Sequence, residues 1–389
     1  MWLRRAIGLS VVLLAFGATI AQAQQRRRES QLVAAVDELV KQQRVTEDAP
    51  GLAILIMRGN QPLFQKGYGL ARLDARAPIT PQTLFELASV SKTFTATAIL
   101  VLHEKGKLSI DDDIRKHIPE LPEYDRANPI RIRDLLRHIS GLPDYMSFRD
   151  VPSRNPDYLV NEDFAAEFAR NRETAPLIFP TGEKYQYNNS NYMLLGLIVQ
   201  RASQQSYGEF LKKALFVPAG MKNTFVYESP DSVPGETKET VHAIGYLKAE
   251  DGTGWQPGWS SPPNRNERLL TVGDGGIWTN LVDMANWDRA LRSNKLIKSK
   301  TMQMALASSQ TADGQRNNYG LGWSIYPNEF GGLNGFGHDG NWLGFRTSYY
   351  RYIAADRTTV ILSNRSDFDT DKFWYVLDAA IEEHAGRRR

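Results

Sequence analysis

The chain has 389 residues, no cysteine and a formal net charge of +3, with 42% hydrophobic and 23% charged residues. That composition fits a globular protein long enough for one large or two moderate domains and a substantial core. It excludes disulfides, a thiol nucleophile and cysteine-ligated metals, and the near balance of charge argues against a nucleic-acid binder.

In chain order, Arg4 and Arg5 precede an uncharged apolar run from Ala6 to Ile20, which ends at Ala21-Gln22-Ala23. This is the pattern of a secretory signal peptide cut after Ala23, and the run is short for a membrane anchor. Its removal takes two arginines and no acid, so the net charge falls from +3 to +1. A periplasmic or secreted protein is expected, with no membrane span left after cleavage.

Gln31 to Gln43 reads as an amphipathic helix. Leu52 to Met57 and Pro62 to Gly67 read as strands joined at Gly59-Asn60. After the loop Pro78–Pro81, Leu84 to Leu87 leads into an apolar helix, stopped at Gly106, whose head carries Ser89 and Lys92. Helices are predicted over Ile132–Arg137, Asn161–Arg172, Asn191–Ala202, Tyr207–Leu215 and Leu281–Leu291. Ser229 to Asn266 is rich in Pro, Gly, Ser and Trp and reads as a long functional or flexible loop, a candidate lid. Tyr319–Tyr326, Phe345–Tyr352 and Thr358–Ser363 read as strands, and Asp371–His384 as a closing helix.

Strands at both ends and helices between them predict an α/β (α+β) fold. N- and C-terminal strands form one antiparallel sheet flanked by helices, with an inserted, mostly helical lobe. The expected domains are a signal peptide at 1–23 and one unit at 24–389. Within that unit an α/β lobe spans about 30–88 and 240–389, and a helical lobe about 89–239, with the site between them.

The chemistry starts at Ser89-Val90-Ser91-Lys92. A serine hydroxyl is a weak nucleophile until a neighbour takes its proton, and residues three apart on a helix share a face. A buried amine, partly deprotonated, can take it. The plainer reading is a helix cap beside a solvated lysine. Tyr187-Asn188-Asn189, on a loop before an apolar helix, offers a phenol to relay a proton. Asn189 can bond both Lys92 and a substrate carbonyl; an aromatic plug and a turn asparagine would look alike in sequence. His338-Asp339-Gly340 precedes a predicted strand. Gly340 permits close approach of a ligand and His338 titrates near neutral pH, although a turn histidine is equally simple. Gly335-Phe336-Gly337-His338-Asp339-Gly340 matches a dinucleotide fingerprint, but a strand follows it where a helix should. Asp111-Asp112-Asp113 lacks the ligand spacing of a calcium loop. No histidine pair has zinc spacing and no Gly-x-Ser-x-Gly elbow is present. No metal and no cofactor are expected.

Taken together, Ser89-x-x-Lys92, Tyr187-x-Asn189 and His338-x-Gly340 resemble the serine β-lactamase and penicillin-binding-protein superfamily. The closer likeness is to its class C-like (S12-type) serine hydrolases. Pro78 to Lys92 resembles the block before the nucleophile. Leu135-Leu136-Arg137-His138-Ile139-Ser140-Gly141-Leu142 resembles a His-Thr-Ser-Gly-Leu block with Ile139 in place of Thr, and Gly275-Gly276 resembles a double-glycine turn. The resemblance implies that Ser89 is acylated, Lys92 holds or takes its proton, and Tyr187 serves as base and acid. It implies that Asn189 orients Lys92, and that the backbone N–H groups of Ser89 and Asn341 form an oxyanion hole. His338 stands where a Lys is usual, so a substrate carboxylate should be held less well. The implied activity is hydrolysis of an ester, amide or D-amino-acid peptide, with a small-molecule or peptide partner. The alternatives are a D-Ala-D-Ala carboxypeptidase, a class C-type β-lactamase or a silent binding homologue. Trp255, Trp259, Trp278 and Trp342 are expected to line the cleft.

Overall fold

The computed structural model describes residues 24, 26–148, 150–170, 176–237, 240–258 and 269–385. The expected signal peptide and its cut after Ala23 lie outside the described residues, as do Trp259 and the rest of the candidate lid from 259 to 266. The chain divides into two compact units: Met1–Thr46 with Asp369–Arg389, and Glu47–Phe368. The first contains helix α1, residues 26–42, and the last helix, Thr370–Ala385. Each carries an apolar stripe at fourfold spacing, Leu32, Val36 and Val40 on one and Phe373, Leu377 and Ile381 on the other, and all six are buried.

The second unit is built on six antiparallel strands. They are β1 (Leu52–Arg58), β2 (Gln61–Tyr68), β3 (Ser324–Pro327), β4 (Leu333–Trp342), β5 (Phe345–Tyr352) and β6 (Arg357–Ser363), in the spatial order β3-β4-β5-β6-β1-β2. The N-terminal hairpin thus joins the C-terminal strands through β1 and β6, which pair from Leu52↔Ser363 to Arg58↔Arg357. Both strands are apolar or β-branched almost without a break, and both are buried along nearly their whole length, as central strands must be. Gly59, at φ +55°, makes the expected hairpin turn.

Between β2 and β3 lies the helical insert. Helix α2 (Ser91–Glu104) is buried from Ser91 to Leu102, an interior helix rather than an amphipathic one. It packs on helix α3 (Asn189–Ser203), whose N-cap Asn188 accepts a hydrogen bond from Ser190 N at 2.7 Å. Helix α4 (Leu281–Arg292) is tied to the sheet by buried Asp288, which accepts from Tyr349 Oη at 2.8 Å and Thr358 Oγ1 at 2.7 Å. The predicted helices recur with ends moved by one to a few residues. The segment from Tyr207 differs more: its α-helix ends at Leu211, gives way to a π-turn over Lys212–Phe216, and resumes at Val217–Ala219.

Two expectations are corrected and one helix is added. The strand expected over Tyr319–Tyr326 is confined to Ser324–Pro327. The Ser299–Ala305 helix is unforeseen. His338 is not at a turn before a strand; it lies inside the ten-residue strand β4. Glycines at 335, 337 and 340 disguise that strand, since glycine weakens a strand unless something presses on it. Here something does. A Cβ on Gly337 would lie 2.2 Å from Tyr349 O, and one on Gly340 would lie 2.2 Å from Thr347 Oγ1 and 2.3 Å from Leu87 O.

Candidate active site

A small three-stranded sheet sets the nucleophile. Ile277–Thr279 lies between Phe85–Glu86 and Phe225–Val226. Leu87 N donates to Ile277 O at 2.8 Å, and Thr347 Oγ1 donates to Leu87 O at 2.7 Å. Held from two sides, the chain makes a 3₁₀ turn over Ala88–Val90 and enters α2. Ala88 adopts φ +48°, a left-handed conformation disfavoured for any residue with a Cβ. The turn presents Ser89 half-buried, while Lys92 is fully buried behind it.

Lys92 Nζ donates to Ser89 Oγ at 3.0 Å, to Asn189 Oδ1 at 3.0 Å and to the backbone oxygen of Asp274 at 2.9 Å. Three acceptors match the three hydrogens of an ammonium. The nitrogen also sits 5.0 Å from the ring centroid of Tyr187 and 5.7 Å from that of Tyr192. Asn189 is fixed in turn by Asp144, whose Oδ2 accepts from Asn189 N at 2.9 Å and from Asn189 Nδ2 at 3.3 Å. That bond sets the amide with its oxygen toward Lys92. Asp274 accepts from Tyr145 Oη at 2.8 Å through its carboxylate, leaving its peptide oxygen for Lys92.

Tyr187 is 39% exposed, so a ligand can reach it. Its ring lies on His138, with centroids 4.4 Å apart, and 6.1 Å from His338. His338 is 4% exposed. Its Nδ1 lies 2.6 Å from Asp339 O, so that nitrogen carries the proton and donates, and its Nε2 accepts from Tyr319 Oη at 2.8 Å. Burial, then the charge of Lys92, pushes its pKa down to about 3, against the opposing pull of the Asp339 carbonyl. The ring is therefore neutral and both its nitrogens are occupied. Gly340 lets β4 press on the nucleophile turn, and the Asn341 side chain accepts from Arg346.

The structure thus brings Ser89, Lys92, Tyr187 and Asn189 together, and sets His338 and Gly340 against them. Sequence reasoning overlooked Asp144, the Asp274 carbonyl, Tyr319 and the burial of His138. Only Gly275-Gly276, beside Asp274, and the His138 block carried a signal. Trp278 does not line a cleft: it is fully buried, stacked on Phe225 and edge-on to Phe345. Trp255 lies between Lys248 and Arg365 on a separate hairpin. Asp112 and Asp113 bind Ser109 N and Arg115 N, as loop and cap residues do. Among the described residues no helix is long and apolar enough to cross a membrane.

Comparison with known proteins agrees with this geometry. The family model described as Beta-lactamase matches residues 36–381. Penicillin-binding protein 4* of Bacillus subtilis (strain 168) is 32% identical over 332 residues, covering 84% of this chain and 70% of that protein. The chain also matches the Staphylococcus aureus flp proteins, of whose length it spans about half. Among solved structures, the octameric penicillin-binding protein homologue from Pyrococcus abyssi superposes with a TM-score of 0.74 at 26% identity, over 92% of this chain and 78% of that one. D-amino acid amidase from Ochrobactrum anthropi SV3, at 20% identity and a TM-score of 0.69 over 91% of this chain and 99% of that one, shares the fold.

Proposed function

We propose that this chain, which belongs to the β-lactamase family, is a serine hydrolase that forms an acyl-enzyme on Ser89 from an ester, amide or D-amino-acid peptide. One observation carries the reading: a fully buried lysine amine 3.0 Å from the hydroxyl of a half-buried serine, aimed there by Asn189 and the Asp274 carbonyl. Because Lys92 donates to Ser89 Oγ, the serine's own hydrogen is directed elsewhere, and Tyr187 is the neighbouring group able to take it.

In this mechanism Ser89 Oγ attacks the substrate carbonyl carbon and gives up its proton to Tyr187, acting as a phenolate beside the Lys92 ammonium. The oxyanion is met by the backbone N–H groups of Ser89 and Asn341, such donors being worth about 3 kcal/mol each. The bond to the leaving group breaks as that group takes the proton. Water repeats the sequence on the ester and frees Ser89.

His338 bears on the substrate. With both nitrogens occupied and no charge, it brings no cation to a carboxylate. That absence of charge favours substrates recognised without a carboxylate next to the scissile bond, and makes β-lactam hydrolysis a side reaction. The basic, apolar and Ala-x-Ala segments at residues 4–23 support action outside the cytoplasm. The second reading, a penicillin-binding carboxypeptidase, draws support from the similarity to penicillin-binding protein 4*.

Intact-mass spectrometry of the wild type and Ser89→Ala, each treated with a fluorophosphonate and separately with a penicillin, tests the proposal alongside p-nitrophenyl ester turnover. An adduct on the wild type alone, with turnover lost in the variant, is expected. A stable penicillin adduct without release would favour the carboxypeptidase. A folded protein with no adduct from either reagent would leave a binding role.

A further inference from the structure

Tyr187 poses a mechanical problem. A proton carrier must be held to a fraction of an ångström, yet among the described residues no hydrogen-bond partner holds the Tyr187 hydroxyl, and its ring is 39% exposed. Its position has to come from its face and its peptide neighbours.

All three of those contacts lead to one residue. The carbonyl of His138 accepts from Gln186 N at 2.9 Å, on one side of Tyr187. The ring Nδ1 of His138 accepts from Asn188 N at 3.1 Å, on the other side. Between them the imidazole lies on the Tyr187 ring at 4.4 Å and 33°. The geometry points to His138 as a positioning residue that holds Tyr187 for proton transfer, gripping the chain before it, after it and across its ring. This inference rests on the reading of Ser89 as nucleophile and Tyr187 as proton carrier.

The backbone and the tautomer agree with that role. His138 follows the short helix Ile132–Leu136 and adopts φ +57°. Glycine or asparagine fits such a post-helix position with least strain. An imidazole there must contribute something that glycine would not. Ser140 Oγ donates to Asn191 Oδ1 at 2.6 Å, which leaves Asn191 Nδ2 to donate to His138 Nδ1 at 3.1 Å. Two N–H groups therefore converge on Nδ1, which has to be unprotonated, so Nε2 carries the hydrogen. The rings of Tyr185, Tyr187, Tyr192 and Tyr319 surround the imidazole, and Lys92 and His338 are the charged or titratable groups that act on it besides them. Complete burial, then the Lys92 charge and His338, holds its pKa well below the ordinary value, so it remains an acceptor under working conditions.

The test is a double-mutant cycle on the acylation burst with p-nitrophenyl acetate, in the full chain. His138→Gly suits the left-handed backbone and removes both ring and acceptor. His138→Asn suits it too, and offers Oδ1 where Nδ1 stood. We expect His138→Gly to slow acylation by roughly 10- to 100-fold, within the range that proton transfer contributes, with KM changed by less than about twofold. His138→Asn should recover most of that loss. In the Tyr187→Phe background, His138→Gly should cost nothing further, because the two act as one unit.

An unchanged burst in folded His138→Gly would overturn the inference. So would an effect on KM alone, or a loss that persists undiminished in the Tyr187→Phe background. If His138→Gly fails to fold, the same cycle with His138→Asn decides, since a residual loss must again vanish beside Tyr187→Phe, and a loss that adds to it rejects the role. A wild-type burst that survives Ser89→Ala would remove the hydrolase reading and this inference with it. A Ser89-dependent burst without coupling between positions 138 and 187 would remove the inference alone.

Discussion

Lys92 and His338 are two nitrogen groups sealed into one site, on a helix and on a strand of the main sheet. Lys92 meets three oxygens: a serine hydroxyl, an amide oxygen and a peptide carbonyl. His338 meets one carbonyl through Nδ1 and one hydroxyl donor at Nε2. Three acceptors complement an ammonium, whereas an acceptor on one side and a donor on the other complement a neutral ring. Similar burial therefore yields opposite electrostatics, and the partners decide which. One touches the nucleophile; the other is withdrawn into the wall, so whatever it contributes to recognition is shape and not charge.

The comparison breaks most completely at Lys92. Lys92→Met should lower the rate of fluorophosphonate labelling of Ser89 by about a thousandfold, within the range of lost acid–base help; labelling within tenfold of wild type would mean that Tyr187 activates the serine unaided. Next comes the contact that sets β4 against the nucleophile turn. Gly340→Ala places a Cβ 2.2 Å from Thr347 Oγ1 and 2.3 Å from Leu87 O. Overpacking of that kind should cost about 2–3 kcal/mol in denaturant unfolding and slow acylation as well. An unshifted midpoint would show that the strand yields without resistance.

The neutral ring makes stability depend on pH. Its folded pKa, about 3, lies below the ordinary 6.5. Between those values the unfolded chain binds the extra proton, so this contribution is complete above pH 6.5 and drains as pH falls. By pH 5 it should have lost about 2 kcal/mol, and His138, shifted the same way, adds to the loss. Asp134, raised to about 6 by burial, pulls in the opposite sense, its penalty easing as pH falls. Urea midpoints at pH 7 and pH 5 in the Asp134→Asn background isolate the rings; equal midpoints there would mean that the buried rings are already open to protons. The smallest effect sharpens the comparison by converting one side into the other. His338→Lys should raise penicillin acylation relative to p-nitrophenyl acetate by roughly tenfold, the order of one charge-assisted hydrogen bond. No change in that ratio would place carboxylate recognition elsewhere.

Much of this site was legible in the sequence wherever function is carried by side chains at short spacing. Ser89 and Lys92 three apart, Tyr187 and Asn189 two apart, and the apolar runs of β1 and β6 each announced themselves. What escaped notice depends on distance along the chain or on the backbone. Strand β4 was obscured by glycines whose reason, the closeness of Tyr349, Thr347 and Leu87, exists only after folding. Tyr319 finds His338 across nineteen residues with no periodic pattern to link them. Trp278 read as a cleft aromatic because size and polarity do not reveal which side of a short strand faces the core. His138 lies inside a block of family likeness, but nothing in its sequence neighbours discloses that it faces Tyr187.

One of the oxygens that hold Lys92 belongs to no side chain. Position 274 would supply the same peptide oxygen whatever its codon, so substitution there tests the carboxylate's bond to Tyr145 and never the bond to Lys92. Alanine scanning is blind to it, and random drift at that position leaves it intact. The vulnerability is transferred to Gly276, at φ +84°, whose conformation directs the adjoining chain. A library that varies this stretch should record tolerance at 274 and intolerance at 276, a mutational profile in which the site's constraint is displaced by two residues from the atom that performs it.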